Sequence, residues 1–122
     1  MYQNNRNAVR LMEPMETVLK YIEYLNKFEY GKAAECLETS VRVVGPSGEA
    51  FHNSDEFVEM LAKYKSRYEL KKSFENGSDV CLLYDFVFEN ARVYASSLYE
   101  VKKGKIISIT TVFDPSQMPQ LP

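Results

Sequence analysis

At Tyr68 the apolar pattern of this chain changes period, and that change does most to limit what the chain can fold into. Upstream, apolar residues recur every three to four positions, as on one face of a helix; downstream they alternate, as in strands with a buried side. Helices first and strands last, within 122 residues, describe one α+β core and exclude a run of alternating βαβ units.

From Met15 to Phe28 the residues Met15, Val18, Leu19, Ile22, Leu25 and Phe28 fall at helical spacing, with Pro14 suited to the first turn and Glu13 and Glu16 favourable at that end. A second helix is expected from Tyr30 to Glu38, with Ala33, Ala34 and Leu37 on one side. The β-branched stretch Val41 to Val44 predicts a short strand that enters a turn at Gly45-Pro46-Ser47-Gly48. Asn53 or Ser54 can then cap a third helix running to about Arg67, with Glu56 completing a capping box if Asn53 is the cap, and Phe57, Leu61 and Tyr64 as its apolar stripe.

Beyond the switch, Tyr68, Leu70 and Phe74 alternate with polar residues, and turns are expected at Asn76-Gly77-Ser78, Glu89-Asn90-Ala91 and Lys103-Gly104. The segments Val80 to Glu89, Arg92 to Lys102 and Ile106 to Phe113 complete a four-strand antiparallel meander, which Asp114-Pro115 ends. Both alternating sets of the Val80 segment are apolar: Val80, Leu82, Tyr84, Phe86 and Phe88 on one side, Cys81, Leu83 and Val87 on the other. Both sheet faces are therefore expected to be covered, one by helices and the other by a second copy of the sheet in a homodimer.

The chain is 45% apolar, which excludes a disordered polymer, and its net charge of −2 with scattered lysines and arginines excludes a nucleic-acid surface as the expected role. Cys36 and Cys81 are far apart with no Cys-x-x-Cys spacing and no adjacent His, so buried thiols are expected, with no metal and no cofactor. No stretch approaches the ~18 apolar residues of a membrane span, and residues 1–13 are polar. A soluble protein of a reducing compartment, the cytoplasm, is the expectation.

The order helix, helix, short strand, helix and four-strand meander, ending in Gly104-Lys105-Ile106 and Val112-Phe113-Asp114, resembles the nuclear transport factor 2-like superfamily. That superfamily includes ketosteroid isomerase, scytalone dehydratase and the SnoaL-like polyketide cyclases. The resemblance covers residues 14–115 as one domain, leaving 1–13 as a flexible N-terminal segment and 116–122 as a tail. It implies three helices packed in the concave face of a curved antiparallel sheet, a cone-shaped α+β barrel whose open end holds a pocket for an apolar small molecule. It also implies which residues face that pocket: Tyr84, Phe86 and Phe88; Ser97, Tyr99 and Val101; Ile109, Thr111 and Phe113; with Tyr21, Leu25, Phe57, Leu61 and Tyr64 closing it.

Tyr21 falls where ketosteroid isomerase carries its hydrogen-bond-donor tyrosine. The base of that enzyme corresponds to Val44 or Gly45 here, and its acidic partner to Ser97, so the carboxylates that its proton shuttle requires are missing. His52, the only histidine and the side chain whose charge changes nearest neutral pH, is the best general-base candidate. Asp85, among apolar neighbours, alternates with Leu83 and Val87 and is expected to pair across a dimer interface or meet solvent. The leading expectation is a binder of a small apolar or aromatic metabolite. The alternatives are an isomerase, dehydratase or cyclase using His52 and Tyr21, and a non-catalytic protein-binding or dimerisation module.

Overall fold

The computed structural model describes residues 12–118. Of the segment set apart as 1–13, residues 1–11 lie outside the described ones, as do residues 119–122 of the tail. The elements run α1 (Pro14–Asn26), α2 (Tyr30–Glu35), β1 (Leu37–Gly45), β2 (Gly48–Phe51), α3 (Ser54–Tyr64), β3 (Arg67–Asn76), β4 (Asp79–Val87), β5 (Arg92–Lys102) and β6 (Lys105–Val112), then a single 3-10 turn, Pro115–Gln117.

The first helix begins where the sequence places it, with Pro14 in its first turn and a capping box between Glu13 and Glu16. Its buried stripe is Thr17, Val18, Tyr21, Ile22 and Leu25, one residue round from the expected one. Leu19 therefore sits at the rim, and Phe28 lies beyond the helix end, 48% exposed, in a left-handed backbone conformation. Asn53 caps α3 by accepting the Glu56 N–H at 3.0 Å, and Lys65, at φ +50°, stops it at Tyr64, three residues short of Arg67. The second helix is also shorter than expected. It ends at Glu35 because Leu37 pairs with Ile106 and is drawn into the sheet.

All six strands form one curved, unclosed sheet in the order β2-β1-β6-β5-β4-β3. The meander β3 to β6 is antiparallel throughout, whereas β1 joins β6 in parallel, with Val43 beside Ile109. The sequence reading took Gly45–Gly48 as a turn alone; in the structure it closes a hairpin, because Gly48–Phe51 returns as β2 against β1. Gly48, at φ +115°, supplies the backbone conformation that this reversal needs. With three exposed residues out of four, β2 is an edge strand, and its sequence carries no alternation to betray it.

The helices fill the concave face. Val18, Ile22 and Leu25 of α1, Val58 and Leu61 of α3, and Val80, Leu82, Val93, Ala95 and Ile106 of the sheet form one core. A shift of register between Leu70 and Lys72 reverses the alternation of β3. Tyr68 is therefore buried beside Phe86, while Phe74 pairs with Cys81 and reaches the convex face 54% exposed. Of the two expectations for Asp85, exposure to solvent is not met. The residue is 6% exposed and bound within the same sheet, 3.0 Å from Arg92 Nη1 and 3.5 Å from Lys71 Nζ, because strands β3 and β5 flank it with basic side chains.

One side chain ties the first helix to the far edge of the sheet. Asn26 Nδ2 donates to the Tyr68 carbonyl at 3.0 Å and its Oδ1 accepts the Tyr68 N–H at 2.7 Å, so the amide satisfies both polar groups of an edge-strand residue. Asn26→Ala should lower stability by about 1–3 kcal/mol. In urea denaturation the midpoint is expected to fall with an unchanged slope; an unaltered midpoint would show that the tie is dispensable.

Candidate functional site

Between the concave face and α3 the fold leaves a cavity of about 310 Å³. Helix α1 contributes Tyr21 to its wall and α3 contributes Phe57, Met60, Leu61 and Tyr64. Strand β4 and the residue after it supply Phe86 and Phe88, β5 supplies Ser97 and Tyr99, and β6 and its continuation supply Ile109, Thr111 and Phe113. All of these but Met60 are residues that the resemblance places at the pocket. Leu25, Tyr84 and Val101, from the same expected set, are buried in the core and do not line the cavity. The resemblance assigns them to the pocket, but only the part of the concave side beyond the packed helices stays open.

One whole wall was not anticipated. Residues 43–51, the β1–β2 hairpin, border the cavity along its length, and Ser66, Tyr68, Pro115 and Met118 complete it. The signal for Tyr68 was its place in the strand pattern; the hairpin had none, since its wall is made by pairing with β6.

Aromatic rings give the wall its rigidity. Tyr68 lies 4.9 Å from Tyr84 and 4.8 Å from Phe86 between centroids, Phe86 meets Phe113 edge-on at 6.2 Å, and Tyr64 meets Phe88 at 5.6 Å. Such offset and edge contacts hold each ring beyond what area burial alone provides.

Few polar groups interrupt this surface. The Tyr84 hydroxyl bonds Ser97 Oγ at 2.7 Å, and Ser97 Oγ bonds Thr111 Oγ1 at 2.7 Å. The Tyr21 hydroxyl is buried with no hydrogen bond formed; the Tyr68 phenol is near enough to affect its acidity but not in bonding geometry. A buried hydroxyl left unpaired is costly, and Tyr21 carries one beside the cavity that its side chain helps to line.

His52 does not reach the cavity. Its side chain is 66% exposed and its Nε2 faces Glu49 Oε2 at 3.5 Å, while Glu49 also accepts from Arg42 Nε. Residue 52 follows the end of β2 on the outward side of the strand, so the expected convergence of His52 and Tyr21 does not occur. Glu49 is the one carboxylate bordering the cavity among the described residues, and the Arg42 guanidinium holds its pKa below the usual range. Among the described residues no three His, Cys, Asp or Glu side chains gather as metal ligands.

Burial pushes the phenols of Tyr21, Tyr68, Tyr84 and Tyr99 above their ordinary pKa; neighbouring phenols add to this for Tyr21, Tyr68 and Tyr99, and the Ser97 and Thr111 hydroxyls oppose it for Tyr84. These groups stay neutral and able to donate across physiological pH. In the unfolded chain they ionise near pH 10. Above that value the unfolded state binds fewer protons than the folded one, so stability is untouched below it and falls as pH rises past it. In a spectrophotometric titration these four phenols should ionise only as the protein unfolds; complete titration near pH 10 with the fold intact would contradict the burial.

No protein-family model matches the sequence, and no curated protein does. Solved structures do match. An NTF2-like protein of unknown function from Cytophaga hutchinsonii is 32% identical, with 88% of this chain and 95% of that one covered and a TM-score of 0.80. An LEH-like epoxide hydrolase of M. tuberculosis shares the fold at 15% identity, with a TM-score of 0.70 over 86% and 85% of the two chains. So does a de novo designed protein with a curved β-sheet, at 22% identity and a TM-score of 0.73 over 93% and 90%. At such identities the last two bear on architecture alone, and that architecture hosts both an enzyme and a design. The Cytophaga protein, alike in sequence over nearly its whole length, sets the relationship: this chain belongs to the NTF2-like (nuclear transport factor 2-like) superfamily.

Proposed function

We propose that this protein binds a small, mostly apolar or aromatic molecule in the cavity beneath α3, held by ring contacts and one hydrogen bond from Tyr21. The observation that carries the reading is the pairing of an aromatic-walled cavity of about 310 Å³ with a buried, unpartnered phenol on its wall. A volume near the lower end of known ligand sites, about 300–1,000 Å³, suits a molecule of two or three fused rings. Catalysis by His52 and Tyr21 has no geometric support, since the imidazole is directed to solvent and to Glu49. The two free thiols, one of them buried, fit a reducing compartment such as the cytoplasm.

Native mass spectrometry of freshly purified protein tests this directly, through a co-purified molecule released on denaturation. Met60, half-buried on the cavity wall, offers a complementary test. Met60→Trp should fill the space, leave the melting temperature within a few degrees, and weaken an apolar fluorescent probe by about tenfold or more, the equivalent of roughly 1.4 kcal/mol. Equal binding by the two proteins would sink the reading.

The convex face favours a second property. Phe74, Tyr94, Leu98 and Val112 stand 43–63% exposed across β3, β5 and β6, around the ion pairs of Asp85 and Glu69 with Arg92 and Lys71. A face with both charge signs and an apolar surround is complementary to itself under a two-fold axis, and we infer a homodimer through it. Sedimentation should give a dimer that Leu98→Glu converts to a monomer with its cavity binding intact; a monomeric wild-type protein at all concentrations would remove the inference.

A further inference from the structure

We propose that the open dish formed where β1 parts from β6, lined by Glu38, Ser40, Lys102, Lys103, Lys105 and Ile107, binds the phosphoryl group of a phosphate monoester. The dish measures about 390 Å³ and shares no residue with the aromatic cavity or with the exposed apolar residues of the convex face. It is therefore a second site, independent of the readings above.

The dish exists because the two strands fall out of step. Leu37 pairs with Ile106 and Arg42 with Ser108, so residues 38–41 of β1 lie opposite Ile107 alone. Val41 turns into the core, while Glu38 and Ser40 stay exposed on the bulged stretch and border the dish. A bulge interrupts the ladder and re-aims the side chains it carries, and such irregularities gather beside functional sites.

The other rim is a cluster of positive charge that local preference does not favour. Lys102 and Lys105 stand directly opposite each other across β5 and β6, where like charges repel. Between them Lys103 adopts a left-handed backbone, φ +52°, ahead of Gly104 at φ +75°. Turns of this kind favour asparagine, aspartate or glycine at that place, and an exposed lysine gains no packing there. Among the described residues none of the three lysines enters an ion pair. Lys105 Nζ donates to the Glu35 carbonyl at the end of α2, which positions its ammonium and leaves it two further protons to donate.

An anion seated among these lysines relieves their repulsion, and the charge of the dish selects which anion. Three ammonium groups less the Glu38 carboxylate leave a net charge of about +2. A phosphate monoester carries about −1.5 to −2 at neutral pH and offers three strong acceptor oxygens. It matches both the charge and the donors, to which Ser40 adds a hydroxyl. A carboxylate or a phosphodiester, with one charge each, leaves half of the cluster uncompensated. Lysine acts on phosphate as a point charge and demands no fixed fork geometry, which suits a rim built on a turn. The ester can be a free metabolite or a lipid headgroup, since the recognised group is the same.

Amide chemical shifts of the isotope-labelled full-length protein, titrated with glycerol 3-phosphate, test the site. Saturable shifts are expected at residues 38–41 and 102–107. Lys102→Gln/Lys103→Gln, at two exposed positions, should weaken binding about fivefold or more. Lys63→Gln/Lys72→Gln, which removes the same charge outside the dish, should leave it unchanged. Binding of glycerol 3-phosphate assigns the ester to a soluble molecule. Binding only to phosphatidylcholine vesicles containing phosphatidic acid, with the same dependence on Lys102 and Lys103, assigns it to a lipid. Equal binding to vesicles containing phosphatidylglycerol, a diester, would overturn the proposal, as would equal weakening by the two double variants. So would failure of both glycerol 3-phosphate and phosphatidic acid to bind.

Discussion

The parallel pairing of β1 with β6 is the contact on which the cavity depends. A four-strand meander with three helices on one face would bury a core and leave no enclosed space. Seating β1 beside β6, with Val43 opposite Ile109, carries the β1–β2 hairpin round the end of α3 and gives the concave face a second wall. Because that wall is an edge hairpin fastened by a turn at Gly48, it borders the cavity without filling it. The space exists because the sheet curves and does not close.

Within that frame the buried phenols set the chemistry. Four tyrosines sit in the concave interior almost free of solvent, and an apolar interior tolerates such groups only where their hydroxyls have partners. Tyr84 finds one in Ser97, and Ser97 finds another in Thr111. Tyr21 finds none. Among the described residues the cavity lining carries one carboxylate, Glu49, and its other polar side chains are hydroxyls.

The convex face is shaped by one local irregularity. The register shift in β3 turns Phe74 outwards and leaves Tyr68 inside, so the same strand serves both the cavity and the outer surface. Asp85, which alternation alone would send to solvent or to a partner, is neutralised by Arg92 and Lys71 of the adjoining strands. Its burial is a consequence of lateral pairing in the sheet, a contact that a one-dimensional pattern does not contain.

What the sequence determined by itself was the order and type of the main elements. The change of period at Tyr68, the Asn53 cap, the turn at Gly77 and the span Arg92–Lys102 all follow from local spacing and local backbone preference, which act over a few residues. Periodicity put Phe86 on one side of its strand and Phe57 and Leu61 on one face of their helix, and the family resemblance named that side, with Ser97, Tyr99 and Thr111, as the concave one, where they line the cavity. Only the tertiary structure decided which of that side stays open. Tyr84 shares the concave face with Phe86 but is buried in the core, as is Leu25 of α1; His52 is turned away by the strand that precedes it, and β2 exists because β1 offers it an edge. Periodicity assigns a side chain to a side of its own element. Whether that side meets protein, cavity or solvent depends on residues distant in sequence, which local preference does not encode.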